Sequence, residues 1–130
     1  MTKRKPTVIT VVEIDEQSDV AAVMKKGKGV IISMQIDDDI VDFQGHFAKQ
    51  PLLPGVTQID WAIFYGVQHL GALTTFLGME VVKFQKAILP NNKVELQLSW
   101  QAERKKLYFT YVSSEGVHSS GRILLGDSDE

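Results

Sequence analysis

The sequence predicts an α+β fold in which a curved antiparallel β-sheet wraps one long central helix, as a single domain over residues 1–130. Three observations predict it: a β-branched opening third, an apolar stretch without strand alternation after Pro54, and a closing series of alternating segments separated by polar turns. A lone helix of that character is buried only if the sheet curls around it. One sheet edge and one helix end then stay uncovered, and a two-fold dimer with a continuous sheet completes the structure.

Residues 7–14 (TVITVVEI) consist largely of types that favour strands. Residues 21–24 and 30–36 flank Lys25-Lys26-Gly27-Lys28-Gly29 and read as the arms of a hairpin. Asp37-Asp38-Asp39 opens an irregular stretch, and Pro51 and Pro54 keep residues 43–54 out of regular structure, because proline fixes φ and has no N–H. Over residues 55–77 Ile59, Ala62, Ile63, Val67, Leu70 and Leu73 recur at helical spacing, with Pro54 just ahead of the first turn. Trp61, Phe64, Tyr65 and Phe76 carry the apolar surface nearly all round the axis, which predicts burial. Residues 79–89, 93–101, 106–113 and 117–125 read as four strands, with clean alternation in VELQLSW and LYFTYV. Residues 90–92, 102–105 and 114–116 supply the turns, and residues 126–130 form an acidic tail that is expected to fray.

Composition excludes several function classes. With 44% hydrophobic and 23% charged residues the chain is ordinary for a globular domain, and its net charge of −2 gives no overall attraction to nucleic acid or an anionic membrane. The absence of cysteine removes disulfides, thiolate nucleophiles and thiolate metal sites together. The longest apolar stretch, residues 59–77, is broken by Asp60, Gln68, His69 and glycines and makes a poor membrane span. A cytoplasmic protein with neither nucleic-acid nor membrane partners is expected.

Two blocks carry chemistry: Phe43-Gln44-Gly45-His46-Phe47 followed by Pro51-Leu52-Leu53-Pro54-Gly55-Val56 with Gln58, Ile59 and Asp60, and later the stretch from Val82 through Phe84 to Pro90. In these the chain resembles the 3-hydroxyacyl-acyl-carrier-protein dehydratases of the hotdog fold, and its Gln-Ile-Asp-Trp-Ala wording is closest to the branch associated with aryl polyene biosynthesis. The resemblance implies removal of water from a (3R)-3-hydroxyacyl thioester on acyl carrier protein, giving a trans-2-enoyl thioester. It also implies that a histidine and an acid meet across the interface of a homodimer or of a pair with a partner hotdog subunit.

The residue types suit that chemistry. Dehydration needs a base for the C2 proton, an acid for the departing C3 hydroxyl and a donor for the thioester oxygen. His46 is the candidate base, since an imidazole of ordinary pKa about 6.5 is largely neutral near pH 7. Asp60, on an otherwise apolar helix, is the candidate acid, and burial of an unpaired carboxylate there needs a reason. Gly55 offers a backbone N–H at a helix start with no side chain in the way, and Val56 lines the pocket beside it. No cofactor is required, and His46 with Asp60 supplies too few ligands for a metal.

Trp61, Phe64 and Tyr65 suit either the core or an acyl tunnel for flat chains, and the area they bury favours the core. Lys49, Lys83, Lys86 and the Arg104-Lys105-Lys106 run suit an acidic carrier protein and its phosphopantetheine phosphate, or simply a solvated face. His69 and His118 read as structural, and Ser113-Ser114 and Ser119-Ser120 as strand or turn polarity. Two departures from the family pattern stand out: Ala48-Lys49 where Pro-Gly commonly follows Gly-His-Phe, and Phe64 where a glutamine commonly helps orient the acid. A hotdog thioesterase, with Asp60 activating water, and a non-catalytic acyl-binding or partner subunit are the competing readings.

Overall fold

The structure, a computed structural model, describes residues 3–14, 28–43 and 51–127. Six strands and one long helix follow in the order β1 (Thr7–Ile14), β2 (Lys28–Gln35), a 3-10 turn (Val41–Phe43), α1 (Gly55–Leu70), β3 (Thr75–Phe84), β4 (Lys93–Gln101), β5 (Lys106–Ser113) and β6 (Gly116–Gly126). All the strands pair antiparallel in one sheet of spatial order β1-β2-β4-β5-β6-β3, so β1 and β3 are its two edges.

Period-two alternation decides which face of the sheet meets the helix. Val30, Ile32 and Met34 on β2, Val94, Leu96 and Leu98 on β4, and Leu107, Phe109 and Tyr111 on β5 all point into one core. From the helix Ile59, Trp61, Ala62, Tyr65 and Leu70 meet them, and each large apolar side chain so buried contributes about 1.5–3 kcal/mol. Close approach of the layers depends on Gly66, where an added Cβ would lie 2.7 Å from Leu107 Cδ2.

Several expectations need correction. The helix ends at Leu70 rather than near residue 77, because Gly71 takes the left-handed conformation (φ 67°, ψ 27°) and caps it through an N–H bond to the Gly66 carbonyl. Phe76 and Leu77, read as helical, belong instead to β3, which begins at Thr75 and ends at Phe84 rather than at residue 89. Lys28 and Gly29, assigned to a hairpin turn, are already part of β2, whose neighbour is β1, while the strand expected at 21–24 lies outside the described residues. The turn at 90–92 is as read: Asn91 adopts φ 69°, and the Asn92 side chain accepts from the Leu89 N–H at 2.8 Å.

The helix is not covered all round. Val56 is 67% exposed, Asp60 is exposed, and Phe64 is 46% exposed, so one stripe at four-residue spacing faces outward. The edge strand β3 also presents Phe76, Leu77, Met79, Val81 and Phe84 to solvent.

Candidate active site

The site is built around the start of α1. Pro54, extended at φ −60° and ψ 148°, precedes Gly55, and its carbonyl accepts from the Thr57 and Gln58 N–H groups at 3.1 and 3.2 Å. Gly55 N–H, in the first turn, has no acceptor among the described residues. Asp60 follows in the second turn on the open stripe between Val56 and Phe64. The burial expected for Asp60 is therefore not provided by the described residues. His46 lies outside the described residues, as do Gly45, Phe47 and Lys49.

What holds this helix start is a set of buried polar side chains. Thr57 Oγ1 donates to Asp42 Oδ2 at 2.7 Å, tying the first turn of α1 to the 3-10 turn. Gln58 Nε2 donates to the Leu53 carbonyl at 3.1 Å while its Oε1 accepts from the Ser119 hydroxyl on β6 at 2.6 Å. The Tyr111 hydroxyl donates to the Gln58 carbonyl at 2.6 Å, and burial, with a smaller effect of Tyr65, pushes its phenol well above the usual range. Such a phenol stays a neutral donor. Leu53 N–H in turn donates to the Ile88 carbonyl at 2.8 Å.

His118 is structural, as its sequence context indicates. It is buried, with Nδ1 3.2 Å from the Ala87 carbonyl and Nε2 2.7 Å from the Ser113 hydroxyl. A carbonyl only accepts, so Nδ1 carries the proton.

Of the three aromatics weighed for core or tunnel, Trp61 and Tyr65 are core residues, 2% and 4% exposed, with Trp61 Nε1 donating to the Arg4 carbonyl at 3.1 Å. Phe64 is the one on the open stripe, with the Lys5 ammonium 4.7 Å from its ring centroid and Tyr65 edge-on at 5.1 Å. Phe84 lies directly against the helix start: a Cβ on Gly55 would be 2.7 Å from Phe84 Cζ. Lys83 and Lys86 on either side of Phe84 are exposed. Lys106 instead pairs with Glu80 at 3.0 Å, and that hydrogen bond, with Arg122 nearby, holds the Glu80 carboxyl below its usual range against some desolvation. Among the described residues no group of three or more His, Asp or Glu could hold a metal, and no helix is long and apolar enough to cross a membrane.

Sequence reasoning placed Gln58 and Phe84 in the family blocks without a role of their own and read Ser119 as strand or turn polarity. A glutamine two residues before the acid, at a helical position that the sheet buries, was the available signal for the first. Ser119 carried none, because its partner is 61 residues away in the chain.

A family model described as ApeI-like, for the ApeI dehydratase, matches residues 22–122, a span that takes in His46 and runs into β6. The chain belongs to the ApeI-like dehydratase family. This ApeI-like chain is similar to a 3-hydroxyacyl-[acyl-carrier-protein] dehydratase FabZ of Erythrobacter litoralis, 34% identical over 89 residues that make up 60% of this chain and 59% of the relative. A FabZ of Buchnera aphidicola is 31% identical over 95 residues, 63% of this chain and 62% of the relative. The chain thus spans about three-fifths of the length of these relatives. A crystal structure of an uncharacterised protein from Erwinia carotovora subsp. atroseptica superposes with TM-score 0.77 at 34% identity, covering 97% of this chain and 99% of that one. The dehydratase heterocomplex ApeI:P from Xenorhabdus doucetiae gives TM-score 0.77 at 32% identity, covering 92% and 96%. The ApeI-like chain has the hotdog fold, a curved antiparallel sheet around one helix.

Proposed function

We propose that this chain removes water from a (3R)-3-hydroxyacyl thioester carried on acyl carrier protein, giving the trans-2-enoyl thioester, in the cytoplasm. The observation that carries the reading is an unengaged Gly55 N–H at the start of α1 with the outward-facing Asp60 five residues further along the same helix, in a chain of the ApeI-like family. Gly55 N–H donates to the thioester oxygen, where negative charge develops. His46 takes the C2 proton, and the freed electron pair forms the C2–C3 double bond as the C3–oxygen bond breaks. Asp60 delivers a proton to the departing hydroxyl, which leaves as water.

No described residue covers Asp60, and a second chain closes this face and excludes water. The exposed apolar edge of β3, continuous with Phe84 at the helix start, is the surface by which a second copy or a partner hotdog subunit pairs, bringing its His46 to this Asp60. Phe64 and Val56 line the acyl path, an aromatic wall suited to conjugated chains of the aryl polyene type. Lys83 and Lys86, beside Phe84, meet the phosphopantetheine phosphate.

The test is mass analysis of the purified protein with 3-hydroxyacyl-carrier-protein. Loss of one water from the acyl group is expected, and His46→Ala should abolish it. Full turnover in that variant sinks the proposal, and release of intact hydroxyacid with free thiol replaces it with a thioesterase.

A further inference from the structure

Four of the five buried polar side chains among the described residues, Thr57, Gln58, His118 and Ser119, take part in fixing the segment that leads into α1. Their arrangement is not what fold stability alone requires, since a buried polar side chain gains little net stability and is costly when left unpaired. The peptide units on either side of Leu53 are clamped. The Leu53 N–H is held by the Ile88 carbonyl, and the Leu53 carbonyl is held by Gln58 Nε2. The strand-end segment that provides Ile88 is itself secured by His118, whose Nδ1–H meets the Ala87 carbonyl and whose own carbonyl accepts from the Gln85 and Lys86 N–H groups. Gln58 is anchored at the other end by Ser119 and along its backbone by Tyr111.

Only Pro54 separates the clamped Leu53 from Gly55, and proline's fixed φ transmits little slack. Gly55 N–H shares its peptide plane with the Pro54 carbonyl, which the Thr57 and Gln58 N–H groups hold, so Gln58 fixes its direction both through its backbone and, by way of Leu53, through its side chain. We propose that Gln58, locked by Ser119, is a positioning residue for the dehydration: it holds the Gly55 amide where the thioester oxygen gains charge, without touching substrate. The inference rests on the function proposed above. A donor displaced from the developing oxyanion weakens transition-state binding more than substrate binding, so the loss falls on kcat and leaves KM nearly unchanged.

The experiment compares Ser119→Ala, which removes one bond of the clamp, and Gln58→Leu, which removes both side-chain bonds, with the wild-type chain. Ser119→Ala serves even if Gln58→Leu folds poorly. Expected are kcat losses of about 10-fold for Ser119→Ala and roughly 100-fold for Gln58→Leu at nearly constant KM. Amide hydrogen exchange should also become faster at Leu53, Thr57 and Gln58, the hydrogen-bonded amides around Gly55, in both variants, with the amides of β4 and β5 unchanged. Wild-type kcat in Ser119→Ala, a loss confined to KM, or unaltered exchange at these three amides would each overturn the proposal. Absence of turnover in the wild-type chain would instead refute the function, while exchange at Leu53, Thr57 and Gln58 would still decide whether Gln58 orders the helix start.

Discussion

Replacing Gly66 by alanine sets two effects of opposite sign against each other. In an isolated helix the change would gain about 1 kcal/mol. Here the new Cβ would lie 2.7 Å from Leu107 Cδ2 and 3.1 Å from Cδ1. Leu107 is wholly buried, so its methyls have no solvent to move into, and overpacking of this kind costs about 1–3 kcal/mol. Because the helix must also lift from β5, the contact outweighs the propensity, and a net loss of about 0.5–2 kcal/mol is expected. For a chain of 130 residues this lowers Tm by roughly 2–8 °C, readable in a circular dichroism melt. Adding Leu107→Ala to Gly66→Ala should cost less than the two single effects summed, since the clash is then removed. A Tm at or above wild type for Gly66→Ala, or strict additivity with Leu107→Ala, would refute this account of how the helix sits on the sheet.

Three further outcomes are expected. Gly55→Ala pushes against Phe84 Cζ, but that ring is half exposed and can swing, so Tm should move little while kcat falls at least about 10-fold; unchanged kcat in steady-state assays would remove Gly55 from the chemistry. Met79→Lys places a charge on the exposed edge strand β3, and sedimentation should show a monomer without dehydratase activity; an active dimer would move the interface elsewhere. Desolvation pushes the Asp37 carboxyl up, but the Thr7 hydroxyl, Lys3 and the Thr7 amide outweigh it and hold it below the usual range. A native value so depressed means that its stabilisation is present above the unfolded-state pKa of about 3.9 and is lost as pH falls through the native one. Urea midpoints measured from pH 6 downward should therefore fall more steeply for wild type than for Asp37→Asn, and parallel curves would dismiss Asp37 as an anchor of the N-terminal segment.

The strands β4 and β5 were readable to the residue, because their alternation is a local pattern that the sheet simply uses. The helix start was readable for a similar reason, since Pro54 and Gly55 act through their own backbones. Its end was not: residues 73, 76 and 77 fit a helical stripe as well as a strand, and the left-handed Gly71 decided between them. The identities of His46, Gly55 and Asp60 and the family they suggest came from sequence, because catalytic chemistry restricts residue type and spacing over a short span. That α1 keeps an open stripe, so that Asp60 faces outward and Phe64 parts from Trp61, depended on how far the sheet curls. Nor could sequence pair Gln58 with Ser119, 61 residues apart, or bring Phe84 over Gly55, since both contacts exist only once β6 and β3 have closed around the helix start. Local pattern determined the elements and the candidate reacting groups; the packing of distant strands determined what holds the helix start in place.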